Sequence, residues 1–311
     1  MDSLRATSSN LSRLIGFPSR RATLATLALL VSPLRAQPAP PPPPRLPVVA
    51  SFSILGDLVR IVGGDRIDVT TIVGANGDAH VYQPSPQDGR RLAAAKLVFV
   101  NGLGFEGWID RLVSASKTKA RIVTASRAVT PRKEGEGVDP HAWQDVANVK
   151  IYVANIRDAL VEADPDGAAR YKANAAEYLH ALGGLDAEIV AAIDAIPRAR
   201  RRVVSTHDAF GYFAARYGVE FIAPQGVSTD AEASARDIAR IVDAVKTHKV
   251  AAVFLENIVD PRFAQRIAAE TGAKVGGALY SDALSPPDGP APSYVRLMRF
   301  NVKQLSEALA R

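Results

Sequence analysis

Apolar positions along this chain follow two alternating patterns. Short apolar runs bounded by Gly, Pro or polar residues give way to longer stretches where apolar residues recur at helical spacing. Pro47-Val-Val-Ala-Ser-Phe predicts a strand, and Ile54 to Val62 predicts an amphipathic helix that stops at Gly63-Gly64. Further strands are predicted at 68–73, 96–101 and 121–124, with helices at 86–95 and 107–114. After Pro197 the alternation resumes, with strands at 202–206, 219–222, 250–255 and 274–280. Helices at 209–217, 231–247, 261–271 and 294–310 separate and follow them. Strands alternating with helices predict parallel sheets covered on both faces.

Between the two series lie a helix at 146–162 and the longest periodic segment of the chain. In that segment Tyr171, Ala175, Tyr178, Leu182, Leu185, Ile189, Ile193 and Ile196 keep one phase, even across Gly183-Gly184. Roughly 30 residues of helix would span about 45 Å, more than one lobe needs. The expected fold is therefore α/β with two lobes, each a mostly parallel β-sheet flanked by helices. A single long backbone helix joins them, with a cleft between. The boundaries read as an N-terminal lobe over 47–165, the linking helix over 166–196 and a C-terminal lobe over 197–311.

The first 46 residues follow neither pattern. Residues 1–36 hold five Arg, no Lys and one acid, then an apolar run from Ala22 to Leu34 and a small residue at Ala36. That order reads as a secretory signal peptide, with an apolar run too short to span a bilayer. Ser19-Arg20-Arg21 also fits a twin-arginine leader, so export is by the general secretory (Sec) route or the twin-arginine route. Residues 37–46 are a proline-rich spacer expected to be extended polyproline II.

Composition narrows the function classes. The 47% hydrophobic and 23% charged content suits a globular protein. Removing the leader's five Arg and one Asp lowers the formal charge from +6 to +2. No basic patch interleaved with aromatics follows, so nucleic acid is not an expected partner. The absence of Cys excludes disulfides, thiolate metal sites, a Cys nucleophile and a lipidated Cys. The mature chain is expected to be soluble in the periplasm and monomeric.

The candidate chemistry lies where predicted strands give way to loops. His80 follows the 68–73 strand, His207 the 202–206 strand and Asp282 the 274–280 strand; His141 sits in a loop entering a helix. Ligands in parallel sheets sit beyond the carboxyl ends of the strands. Three imidazoles and one carboxylate can fill the shell of a divalent metal; any one of these histidines alone is more often a surface or satisfied residue, and it is the joint arrangement that points to a metal. Of the five histidines, His180 should face solvent and His248 precedes a strand at the opposite sheet edge, so both are left out. Glu256, after the 250–255 strand, is a substitute ligand or a partner of one. Asp78 and Asp139 read as loop-formers, and Trp143, Phe210, Tyr212 and Phe213 mostly as core.

Five motifs in order carry a resemblance. They are Gly77-Asp-Ala-His-Val-Tyr-Gln-Pro-Ser-Pro, Asn101-Gly-Leu-Gly-Phe-Glu-Gly-Trp, Asp139-Pro-His-Ala-Trp, His207-Asp-Ala-Phe-Gly-Tyr-Phe and Tyr280-Ser-Asp-Ala-Leu-Ser. With these the mature chain resembles the ZnuA/TroA-type (cluster A-I) metal-binding solute receptors of ABC importers. The resemblance implies two α/β lobes, one linking helix and a metal held between the lobes by His80, His141, His207 and Asp282. It also implies a permease in the inner membrane as partner, with a periplasmic metallochaperone as a further candidate. Members with Glu at the third ligand usually take manganese; this chain has His207. Three nitrogens and one carboxylate favour Zn2+ as transported ligand over Mn2+, although the His- and acid-rich loop common in zinc members is missing after His80. The expectation is a zinc receptor and not an enzyme. Two alternatives stay open: a manganese or iron receptor of the same fold, or a zinc-dependent periplasmic hydrolase using Glu256 as base. A receptor for a larger iron chelate would not need clustered histidines.

Overall fold

The computed structural model describes residues 44–135, 137–230, 234–248, 250 and 252–310. The signal-peptide reading and most of the spacer lie outside them. In the N-terminal lobe, β1 (Leu46–Phe52), β2 (Ile67–Val73), β3 (Leu97–Val100) and β4 (Arg121–Thr124) form a parallel sheet of order β2-β1-β3-β4. The central strands are apolar almost throughout, as burial on both faces requires. Helices α1 (Ser53–Gly63), α2 (Pro86–Ala94) and α3 (Ile109–Ser116) connect them. Helix α2 starts sharply because Ser85 and Asp88 form a reciprocal capping box and Pro86 opens the first turn. One boundary is corrected: Leu46, read as spacer, opens β1 because it pairs with Ile67 and packs against the core.

A two-stranded antiparallel ribbon, β5 (Lys133–Glu134) and β6 (Gly137–Val138), leads to His141 and then α4 (Val146–Ala163). Helix α5 (Ala168–Asp194) is the linking helix, and its 27 residues span about 40 Å. Its buried positions are Tyr171, Ala175, Tyr178, Leu182, Leu185, Ile189 and Ile193. These match the expected phase, while Ile196 is buried just past the helix end. One end packs against α1 and α4, and the other against the C-terminal lobe.

The C-terminal lobe repeats the plan. Strands β7 (Arg202–Val204), β8 (Glu220–Ile222), β9 (Ala252–Glu256) and β10 (Lys274–Leu279) form a parallel sheet of order β10-β9-β7-β8. Helices α6 (Gly211–Tyr217), α7 (Ala235–His248), α8 (Arg262–Thr271) and α9 (Tyr294–Leu309) accompany it. In both sheets the chain reverses direction of growth beside the first strand, between β1 and β3 and between β7 and β9. That switch leaves a crevice at the carboxyl edge. Glu256 and the loop bearing His207 stand at the second of these crevices. Among the described residues no helix is long and apolar enough to cross a membrane.

Candidate metal centre

Each sequence-selected residue is delivered by its own local device. His80 ends the loop after β2, where Asp78 Oδ1 accepts its backbone N–H at 2.9 Å. His141 repeats that turn: Asp139 Oδ1 accepts its backbone N–H at 2.9 Å. Here the aspartate does more, because the same oxygen lies 2.9 Å from His141 Nδ1 and leaves Nε2 directed into the cleft. His207 follows β7. Glu256 Oε1 accepts the N–H groups of Thr206 and His207 at 2.7 and 2.9 Å, while Oε2 lies 2.6 Å from His207 Nδ1.

Asp282 follows β10 of the C-terminal sheet, yet its loop is fastened to the other lobe. Trp143 Nε1 and Gln144 Nε2 donate to the Ser281 carbonyl at 2.9 and 2.8 Å. The Leu284 N–H donates to Ser53 Oγ, and the Asn76 N–H donates to the Leu284 carbonyl, each at 2.9 Å. The even division of donors that the chain order suggests therefore becomes uneven. His80, His141 and Asp282 share one framework, and His207 rides on the C-terminal sheet.

The four side chains converge. One ligand atom from each of His80, His141, His207 and Asp282 lies within 4.8 Å of the others. His80 Nε2 is 3.2 Å from His141 Nε2 and 3.2 Å from Asp282 Oδ2. His207 Nε2 is 3.2 Å from Asp282 Oδ2, and His141 Nε2 is 3.6 Å from Asp282 Oδ1. Donors held tetrahedrally about 2.05 Å from one ion stand about 3.3 Å apart. Meanwhile His207 Nε2 and both Asp282 oxygens are buried without a hydrogen bond. Stranding such groups costs about 1–3 kcal/mol each, and a cation between them removes the cost. Phe105 and Trp143 wall the cluster, with ring centres 4.7 Å from His80 and 5.3 Å from His141 respectively.

The charges are strongly coupled. Burial alone would keep His207 neutral, but Glu256 and Asp282 outweigh it and hold its pKa well above the ordinary value. Burial likewise opposes charge on His141, which Asp282 and Asp139 overcome. Asp282 is held well below the usual carboxylate range, because His141 and His207 override its burial. Glu256 is lowered in the same manner by His207, against its own burial. A cation bound among these side chains would compete with protons for the His141 and His207 nitrogens.

Other residues fall where chemistry needs them or are set aside. His180 is exposed on α5, as expected. Glu256 reaches the far nitrogen of His207 and is absent from the cluster of converging ligand atoms. Asp139, read from sequence as a loop-former, also orients His141; its place two residues before a candidate ligand, mirrored at Asp78, was the available signal. Gly211 of α6 covers Asp139 from the other lobe. A Cβ there would stand 2.4 Å from Arg132 Nε and 2.5 Å from Asp139 Oδ2, so a side chain at 211 would have to push one of these groups aside.

Comparisons with known proteins agree with this architecture. The family model described as zinc-uptake complex component A, periplasmic (ZnuA), matches residues 48–308. The manganese-binding lipoprotein MntA of Halalkalibacterium halodurans is 38% identical over 267 residues, covering 86% of this chain and 89% of its own. The iron-binding protein YfeA of Yersinia pestis is 32% identical, covering 85% of this chain and 86% of its own. Among solved structures, the periplasmic zinc-binding protein TroA from Treponema pallidum superposes with a TM-score of 0.83 at 27% identity, covering 86% of this chain and all of its own.

Proposed function

This chain belongs to the periplasmic zinc-uptake complex component A family, and from that membership we propose that it is the zinc receptor of an ABC-type importer. The chain is a metal-binding solute receptor and not an enzyme, and the partner of such a receptor is a membrane permease. In our reading Zn2+ is the cargo, held by His80, His141, His207 and Asp282. The observation that carries the metal's identity is the donor set, three imidazole nitrogens and one carboxylate in one buried cluster. Manganese prefers oxygen donors, whereas zinc takes nitrogen readily. Four protein donors leave no open position for a reacting water, which argues against a hydrolase.

The second reading is a manganese or iron receptor. Two relatives named for those metals favour it, as does the short path from His80 to Gln83-Pro84, which has no histidine-rich insert. Competition titration of the metal-free protein with Zn2+, Mn2+ and Fe2+ separates the two. Zinc is expected to win by at least about a hundredfold; equal or tighter manganese binding would overturn the zinc reading. A sequence without cysteine supports a receptor free in the periplasm and not lipid-tethered. A periplasmic metallochaperone and a monomeric state belong to the same proposal.

Two further outcomes follow from the site. Zinc must displace protons from His141 and His207, whose values lie above the usual 6.5. Raised values mean that protons already compete near neutrality, so affinity is expected to fall as pH drops from about 8 to 5, roughly tenfold per unit for each proton displaced. Titrations against a chelator at several pH values check this, and a flat profile would contradict it. Glu256→Gln keeps the shape but removes the charge that fixes His207. It is expected to weaken zinc binding by about 10–100-fold with one zinc still bound per chain, as read by the same competition assay.

A further inference from the structure

The mouth of the cleft is closed by a strap that no metal-ligand argument requires. Of the four converging residues His80 alone retains any exposure, 8% against 0% for the other three. It meets solvent in a cavity lined on one side by Leu103, Phe105 and Pro140 and on the other by Val227, Ser228 and Asp230. The second side belongs to the loop after β8. That loop is tied to the His207 segment by backbone pairing, His207 with Gln225, and by the Asp208 N–H donating to the Gly226 carbonyl at 3.2 Å. At its far end the Thr229 hydroxyl crosses the cleft and donates to Asp78 Oδ2 at 2.7 Å. The other oxygen of the same carboxylate holds the His80 N–H.

We propose that Thr229 and Asp78 form a latch across this mouth that sets how fast the bound metal is released. The inference rests on the four-residue site read above. The physical argument is connectivity. His80 and His207 approach one another from opposite lobes, and Asp78, Thr229 and the strap link them by a second path outside the site. For the mouth to widen, the strap must move away from the cavity wall that holds Leu103 and Phe105, and the bond from Thr229 to Asp78 opposes that movement. A hydrogen bond to a carboxylate is stronger than a neutral one, so the latch resists opening while the metal is in place. Because a single threonine hydroxyl supplies it, it can be broken without a large rearrangement. The carboxylate that positions a ligand thus also holds the door in front of it.

The test compares wild type, Thr229→Val and Thr229→Ser in the full mature protein. Zinc-loaded samples are mixed with excess chromogenic chelator and the release rate is recorded, with zinc content measured beforehand. Thr229→Val, which keeps the shape and removes the donor, is expected to release zinc about tenfold faster. Thr229→Ser is expected to stay within about twofold of wild type, since the hydroxyl remains. In the metal-free protein, amide exchange over 77–81 and 224–230 is expected to accelerate in the valine variant alone. Unchanged release and unchanged exchange in Thr229→Val would overturn the latch, as would faster release in the serine variant to the same degree. Failure of wild type to take up zinc would instead overturn the site reading and the gating role together. The exchange measurement would still report whether Thr229 joins the two segments.

Discussion

His207→Ala is expected to weaken zinc binding by roughly a hundred- to a thousandfold. Structural zinc in small protein sites is worth about 10–16 kcal/mol over four ligands, so one imidazole carries about 3 kcal/mol, or about 150-fold. Two features of this site push the loss upward. Glu256 Oε2 lies 2.6 Å from His207 Nδ1 and its side chain is fully buried, so removing the ring leaves that oxygen of a buried carboxylate without its neighbour. His207 is also the one of the four whose own loop stays with the C-terminal sheet, because Ser281 and Leu284 tie the Asp282 loop to Trp143, Gln144 and Ser53. Its loss therefore removes the metal's bond to that sheet as well as one ligand. His180→Ala, on the exposed face of α5, is expected to leave affinity unchanged and serves as the control. Chelator competition on both variants checks the pair, and equal affinities would contradict the assignment.

Zinc is expected to raise the melting temperature of the metal-free protein by roughly 10 °C. A ligand that binds only the folded chain stabilises it by about 4 kcal/mol at a thousandfold excess over Kd, and about 2–4 °C accompany each kcal/mol at this size. The metal-free cluster supplies the physical source. His207 Nε2 and both Asp282 oxygens are buried without hydrogen bonds, and a cation satisfies all of them at once. Scanning calorimetry with and without zinc near pH 7.5 measures the shift. A rise below about 2 °C would mean that the four side chains do not act on a common ion.

The fold was legible where periodicity was long or burial complete. Tyr171, Ala175, Tyr178, Leu182, Leu185, Ile189 and Ile193 all face the core of α5, because a helix of that length repeats one stripe often enough to be unambiguous. The positions of His80, His207 and Asp282 at strand ends followed from the same alternation. What escaped notice depends on contacts between distant parts of the chain. The β5–β6 ribbon has two residues per strand, too few for any period. The bond between Leu284 and Ser53 joins positions 231 residues apart. It moves the Asp282 loop onto the N-terminal framework, which chain order alone places elsewhere. Asp139 illustrates a middle case. Its spacing before His141 marked a turn, but only the folded ring position shows the same carboxylate also holding Nδ1.

The central claim is that one zinc ion lies among these four side chains. Crystals of protein purified without added metal, measured on both sides of the zinc absorption edge, test it most directly. A single anomalous peak between His80, His141, His207 and Asp282 that vanishes below the zinc edge is the expected result. A peak elsewhere, or one that persists below that edge at the manganese or iron signal, would contradict the account.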